Sequence, residues 1–292
     1  CWMSMQTAEH LMQADTVPVS PMLPLPYRVS DISEEIPGCQ TLRLIPEFEK
    51  HYQKWTPGQF FMLYVFGHGE VPISVSGNPE KPGELTFSIM SLGSVTQAIC
   101  RLKPGDAIGL RGPFGSAWPL DKLKGQNIIL MAGGLGLAPL RPALYHLMSN
   151  SQAYGNIQLL YGTRQPDSII FADELASWSA NRAIEVRTTV DNAGRDWSGN
   201  VGVITDLLKD ISLNDTNTSA LICGPEVMMR FSAYALLDRG LAMENIFISM
   251  ERNMKCAVRM CGRCQYGRYF ICHDGPVFSF DRVRELFRIR EL

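Results

Sequence analysis

From Tyr27 to about Leu120 the chain alternates short apolar runs with turn signals. The runs YRVSDI, TLRLIP, QFFMLYVF, ELTFSIM and AIGLRG are punctuated by Pro57-Gly58, Pro82-Gly83 and Pro104-Gly105. Such runs predict strands, and about six at this spacing predict a small antiparallel β barrel. One stretch, SVTQAICRL after Gly93, reads as a helix instead. The free N–H groups and the dipole at the start of such a helix favour an anion.

The texture changes beyond Leu120. Residues 128–132 (IILMA) form an unbroken apolar run, and Gly133-Gly134-Leu135-Gly136 then opens a helix through His146. Strand-like runs recur at IQLLYG, IEVRTTV, SALICG and NIFISM, with helical stretches such as DELASWSA and PEVMMRFSAYALLDRG between them. In the last of these Pro225 suits the first turn and Gly240 the stop. Alternating strands and helices predict a doubly wound α/β domain with a parallel sheet, whose ligands lie at the carboxyl ends of the strands. The expected organisation is a proline-rich extended arm over residues 1–26, a barrel over 27–120, an α/β domain over 121–250 and a C-terminal segment over 251–292. Within that segment DGPVFSFDRVRELFRIREL predicts one short strand and a charged end, its arginines forming a solvated face.

Composition narrows the class. The 292 residues suit two domains, and 46% hydrophobic content with 25 Gly and 18 Pro describes a turn-rich globular protein rather than a fibre or a disordered tail. A formal charge of −2 gives no reason to expect nucleic acid or a membrane surface as partner. No apolar run approaches the roughly 18–20 residues of a membrane span. The first residues lack a basic stretch followed by an apolar one, so no signal peptide is expected. Of eight cysteines, Cys1, Cys39, Cys100 and Cys223 are scattered and imply no disulfide framework, which suits a cytoplasmic location.

The other four cysteines carry the strongest chemical signal. Cys256, Cys261, Cys264 and Cys272 stand at C-x4-C-x2-C-x7-C. The first three follow plant-type [2Fe–2S] spacing, in which a short loop wraps one side of a two-iron cluster and a fourth thiolate closes the other. A four-thiolate zinc site and a pair of disulfides are the alternatives, although zinc usually takes two C-x2-4-C knuckles and only Cys261 and Cys264 make one. The glycine loop 133–136 is a dinucleotide signal with a deviation: Pro139 stands where the third glycine of G-x-G-x-x-G would fall. No acid ends the second strand of that unit, which runs instead into Gly162-Thr163-Arg164. Cys223-Gly224-Pro225 is another strand end opening a helix. The barrel offers Pro72-Ile73-Ser74-Val75-Ser76, then Gly93-Ser94-Val95-Thr96, then Gly112-Pro113-Phe114-Gly115.

The order of these motifs resembles the ferredoxin–NADP reductase superfamily over nearly the whole chain. A flavin barrel, a pyridine-nucleotide domain opening with GGLGLAP, the CGP turn and a C-terminal cysteine loop follow one another as in that superfamily. The cysteine loop with ICHDGPVF resembles its iron–sulfur branch. That branch holds the gamma subunits of cytosolic NAD(P)-linked [NiFe] hydrogenases (sulfhydrogenases), the corresponding subunit of anaerobic sulfite reductase and the electron-transfer subunit of dihydroorotate dehydrogenase B. The short gap before Cys272 and the phrase SMERNMKC are more similar to the first two.

The resemblance implies roles for particular residues. Ser74, Val75 and Ser76 would line the FAD ring and ribityl chain, and Gly93, Ser94, Val95 and Thr96 would hold the FAD pyrophosphate. Gly133, Gly134, Gly136 and Pro139 would shape the NAD(P) pyrophosphate site, and Cys223, Gly224 and Pro225 would border the nicotinamide. Cys256, Cys261, Cys264 and Cys272 would bind the [2Fe–2S] cluster. Arg164 is the candidate for the ribose 2′-phosphate, since it ends the strand where an NAD enzyme often places an acid. The sequence departs from the superfamily at R-x-Y-S, here Val71-Pro72-Ile73-Ser74, so the arginine and tyrosine expected against the flavin are missing. His273 stands where a lysine is expected.

The implied activity is hydride exchange between NAD(P)H and the flavin, with single electrons passing to the cluster. No side-chain acid–base pair is required for it. The partner implied is a set of other redox subunits in a hetero-oligomeric complex, a [NiFe] hydrogenase first, then anaerobic sulfite reductase, then dihydroorotate dehydrogenase B. The non-enzymatic alternative is a zinc-binding adaptor that senses redox state.

Overall fold

A computed structural model describes residues 20–209, 211 and 217–289. Most of the proline-rich arm lies outside the described residues, as does the end of the chain from residue 290. Every predicted barrel run forms a strand: β1 (Leu25–Ile36), β2 (Cys39–Pro46), β3 (Phe60–Val65), β5 (Leu85–Met90) and β6 (Ala107–Phe114). The sixth, β4 (Gly69–Ser74), was announced only by the Pro72–Ser76 motif. The antiparallel sheet runs β4-β3-β6-β1-β2-β5. Its two edges approach where Ser76 N–H donates to Thr86 O at 2.9 Å, just past β4 and within β5. Leu42, Leu44, Phe61, Leu63, Phe87 and Leu110 fill the interior, each essentially inaccessible to water. The predicted helix is α1 (Ser94–Ile99).

The second sheet contains β7 (Asn127–Gly133), β8 (Ile157–Thr163), β9 (Glu185–Val190), β10 (Asn200–Val201), β11 (Thr218–Cys223) and β12 (Ile246–Ser249). After β12 the cysteine loop contributes one small hairpin, β13 (Gln265–Tyr266) with β14 (Tyr269–Phe270), before β15 (Val277–Ser279) returns to the sheet. The order is β10-β9-β8-β7-β11-β12-β15, parallel throughout except that β15 pairs antiparallel with β12. β7 leads outward through β8 in one direction while β11 lies on its other side, so the crevice between their carboxyl ends is the topological switch point. β11 is buried at every position, and β7 at all but its first. Strands covered on both faces require that continuous apolar character.

Helices α2 (Leu137–Ser149) and α3 (Ala172–Ser179) pack on one face of this sheet, and α4 (Glu226–Asp238) on the other. In α4 the buried positions Met229, Ser232, Ala233 and Leu236 recur at helical spacing and form one stripe.

The cysteine segment packs into the body of the protein. Phe60 and Met62 from β3, Ile222 and Ile248 from the parallel sheet, and Cys264, Tyr266, Cys272, Phe278 and Phe287 from the C-terminal segment share one apolar core. Gly115, at φ +79°, explains the glycine that ends the G-P-F-G turn. A Cβ there would stand 2.5 Å from Pro276 Cδ, so this close approach of the barrel to the C-terminal segment requires glycine. Ser116 then exchanges bonds with Val277, donating to its O at 2.9 Å and accepting from its N–H at 3.1 Å. The charged end is not wholly a solvated face. Arg282 is exposed, yet its guanidinium lies 5.0 Å from the Tyr269 ring and 5.2 Å from that of Phe278.

Candidate functional site

The cysteine loop winds its own backbone around the thiols. Ala257 and Arg259, both at φ 60°, and Gly262 at φ 74° adopt left-handed conformations. That path turns N–H groups inward: Met260 and Cys261 both donate to Cys256 Sγ at 3.3 Å, and Arg259 donates to Cys272 Sγ at 3.3 Å. Burial pulls the Cys256 thiol upward, but the N–H groups of Val258, Cys261 and Met260, with the Cys261 thiol, outweigh it and bring it from 9.0 to about 7. Such donors stabilise thiolates, the form that ligates a metal. Burial and the adjacent Cys264 thiol push Cys272 up to about 12. Cys256 has the Cys261 thiol beside it, and Cys272 has both Cys264 and Cys256 near it. No three of the described His, Cys, Asp or Glu side chains converge tightly enough for a single metal ion. Cys256, Cys264 and Cys272 are buried and Cys261 is exposed; none of the described cysteines forms a disulfide.

A cavity of about 710 Å³ opens between the barrel and the parallel sheet. Phe60 and Glu70–Ser74 wall it on the barrel side, Leu92–Thr96 at the start of α1, and Leu135, Ala138 and Pro139 on the sheet side. Residues Met250–Met254, leaving β12, close it. The volume is that of a site for an organic cofactor, and its lining mixes apolar walls with a few polar groups. Of the residues singled out in the sequence, Ser74, Gly93, Ser94, Val95, Thr96 and Pro139 lie on this wall. Val75 and Ser76 do not. Val75 belongs to the barrel core, and Ser76 is fully buried and shares hydroxyl hydrogen bonds with Ser88. At α1, Thr96 Oγ1 accepts the N–H groups of Leu92 (3.1 Å) and Gly93 (2.8 Å), holding the turn open at the helix start.

Gly133 and Gly136 meet Cys223, Gly224 and Pro225 at the switch point, while a Cβ at Gly134 would meet open space. Gly136 cannot be replaced without movement, because a Cβ would stand 2.3 Å from Cys223 O. Pro225 caps α4 rather than occupying its first turn. Pro139 lies within α2 and accepts Trp118 Nε1–H at 3.2 Å. The Cys223 thiol is buried and raised by that burial and by the nearby Glu251 charge, so it stays protonated. Arg164 is exposed beyond the end of β8, away from the cavity wall.

Sequence reasoning missed Glu251 and Arg252, two charged residues on the cavity wall. Glu251 opens to the cavity but is hemmed by protein elsewhere, and that burial raises its carboxyl. Among the described residues, Arg252 is the only basic one lining the cavity, and it lies 4.8 Å from the Tyr266 ring. Phe60 is the only aromatic one on the described wall. A strand end running straight into the cysteine loop was the signal for this pair of charges.

The donor set fits an iron–sulfur group, and the cavity fits a flavin. The model of the oxidoreductase NAD-binding domain matches residues 130–233, and that of the iron–sulfur cluster binding domain of dihydroorotate dehydrogenase B matches residues 251–284. Sulfhydrogenase 1 subunit gamma of Pyrococcus furiosus is 38% identical over 236 residues, covering 78% of this chain and 81% of that protein. A probable dihydroorotate dehydrogenase B electron transfer subunit of Methanocella arvoryzae is 33% identical over 261 residues, 88% of this chain and 91% of that protein. Among solved structures, an NADH-dependent reduced ferredoxin–NADP oxidoreductase studied for flavin-based electron bifurcation superposes with a TM-score of 0.70. It is 24% identical and covers 91% of this chain and 94% of its own. A ferredoxin NADP+ reductase from Neisseria gonorrhoeae with bound FAD and NADP gives 0.66 at 22% identity, over 76% and 96%. At these identities the structural likeness speaks for the fold.

Proposed function

The chain belongs to the iron–sulfur branch of the ferredoxin–NADP reductase superfamily, with sulfhydrogenase gamma and dihydroorotate dehydrogenase B electron-transfer subunits, and from that premise we propose that it is a diaphorase subunit passing electrons between NAD(P)H, FAD and a [2Fe–2S] cluster. One observation carries the reading. Residues Met250–Met254 line the cavity, and the same strand exit reaches the first candidate cluster ligand at Cys256. A group in the cavity and a group on the loop are therefore neighbours. A flavin in that place couples the two-electron chemistry of a nicotinamide to the one-electron chemistry of an iron–sulfur centre.

The chain's own residues supply enclosure, orientation and charge. Phe60, Leu135 and Pro139 give the cavity apolar walls, and Ser74 and Arg252 give it polar contacts. The two-iron type is supported by the spacing of Cys256, Cys261 and Cys264, which follows the plant-type pattern with Cys272 as the fourth ligand. Four cavity or loop side chains stand as proposed cofactor contacts that the sequence did not offer: Phe60, Glu70, Glu251 and Arg252.

Arg164 is proposed to prefer the 2′-phosphate of NADPH. Arg164→Ala then lowers the NADPH-to-NADH ratio of kcat/KM severalfold, and an unchanged ratio removes the assignment. The proposed partner is a catalytic redox subunit of a cytoplasmic complex, in first place a [NiFe] hydrogenase. The dihydroorotate dehydrogenase alternative draws on the match to that family's iron–sulfur domain. Among the described residues no helix is long and apolar enough to cross a membrane.

The test is the purified protein's spectrum and metal content. Flavin and about two irons per chain, with visible bands bleached by NADH or NADPH, support the reading. A colourless protein holding zinc and no iron refutes it. Co-purification from the native source then identifies the catalytic subunit.

A further inference from the structure

Arg111, near the middle of β6, belongs to none of the motifs above, yet it joins the cavity to the cysteine loop. It is 3% exposed. An arginine has five N–H donors, and here all five are used. Nε and Nη2 grip the Glu70 carboxylate side-on at 2.9 and 2.8 Å. Nη1 donates to Pro21 O at 2.7 Å and to Cys256 O at 3.1 Å, while Nη2 donates its second proton to Lys255 O at 3.0 Å. Phe114 lies 5.6 Å from the guanidinium carbon. A single buried cation thus ties together the lead-in to the barrel, a residue of the cavity wall and the peptide of the first candidate ligand.

Resting on the electron-transfer reading, we propose that Arg111 positions Cys256 against the cavity and sets how readily the loop's iron–sulfur group accepts an electron, with Glu70 as its counter-charge. The electrostatics have a definite sign. A fixed positive charge in a buried, low-dielectric setting favours the centre's reduced form, which carries one more negative charge, and the Glu70 carboxylate opposes it. The geometry is equally particular. Two adjacent carbonyls and a carboxylate require a planar fork, and a lysine ammonium, with three donors on one nitrogen, cannot reproduce it. Groups hydrogen-bonded behind metal ligands commonly tune a centre in this way.

The experiment uses the full chain loaded with flavin and cluster. Arg111→Gln, Arg111→Lys and Glu70→Gln are each followed by redox titration with EPR detection, and iron is counted per chain. Arg111→Gln is expected to lower the cluster's midpoint potential and Glu70→Gln to raise it. Each change corresponds to roughly a tenfold shift in cluster reduction, about 59 mV for one electron. Arg111→Lys keeps the charge and stays nearer the parent potential but loses iron, because the fork is gone. The inference is overturned if both glutamine variants titrate at the parent potential, or if both move in the same direction as general damage would. Should Arg111→Gln not fold or not load, an unmoved potential in Glu70→Gln is enough to overturn it. A parent protein without iron refutes the electron-transfer reading, and this inference with it. A loaded parent with unmoved variants refutes the inference alone.

Discussion

The cysteine loop and the cavity beside it are built in opposite ways. Four thiols stand within one stretch from Cys256 to Cys272, and the donors aimed at them come from Arg259, Met260 and Cys261 in the same stretch. The cavity draws its wall from separate segments between Phe60 and Pro276. Coordination bonds are short and directional, so a cluster fixes the spacing of its ligands along the chain. Enclosing a large organic group asks for volume and a few polar contacts, which distant segments can share. On the proposed reading the loop is accordingly intolerant of change at its four cysteines. The cavity forms with Val71-Pro72-Ile73-Ser74 on its wall, where the superfamily pattern expects an arginine and a tyrosine.

That contrast can be broken by substitution. The largest effect is expected from Cys264→Ser, which removes a buried cysteine proposed as a ligand. Iron content and the EPR signal of the reduced protein should be lost, with transfer to one-electron acceptors falling on the order of 100-fold, while flavin content holds. Loss of flavin alongside iron would show that the two regions are not independent. A smaller effect is expected at Arg252. With a charge-assisted contact of about 1.5–3 kcal/mol removed, Arg252→Ala should weaken FAD binding by roughly tenfold or more while leaving iron in place. Fluorescence titration of the flavin-free protein measures it, and unchanged affinity would move the flavin's polar contacts elsewhere.

The smallest effect concerns Glu251. Burial holds its carboxyl above the ordinary 4.5, so the folded protein binds this proton more tightly than the unfolded chain does. The contribution to stability is full below pH 4.5 and is lost as pH rises through the raised value. In the flavin-free protein, Glu251→Gln should therefore gain melting temperature relative to the parent as pH rises from 4 towards 7. A difference that stays flat across that range would show that the cavity leaves this carboxyl as well hydrated as an ordinary one.

The order of domains was legible because both sheets announce themselves locally. The run IILMA is apolar on every residue, as a strand covered on both faces must be, and the barrel strands are set off by Pro-Gly turns. β4 was harder to see: all six of its residues are only half-buried, so it lacks the alternation of a one-sided strand. Pro72 within it suits its place at the sheet edge. The cysteines were legible for the reason given above. Arg111 was not, because its partners lie 41 residues away at Glu70 and 145 away at Cys256. Nothing in the strand AIGLRG distinguishes a surface arginine from a buried one. Val75 and Ser76 could not be separated from Ser74 in the sequence, because the motif names three successive residues and only the fold shows that the chain turns into the barrel interior after Ser74.

The return of β15 to β12 has a consequence for how the chain is threaded. Ser249, where β12 ends, pairs with Val277, where β15 begins, so the whole metal-binding stretch leaves and re-enters the sheet at adjacent points. In architectural terms it is a cassette spliced between two neighbouring strands, and the sheet closes beneath it. The stretch is thus separable from the sheet in its threading, although its side chains share one core with both sheets.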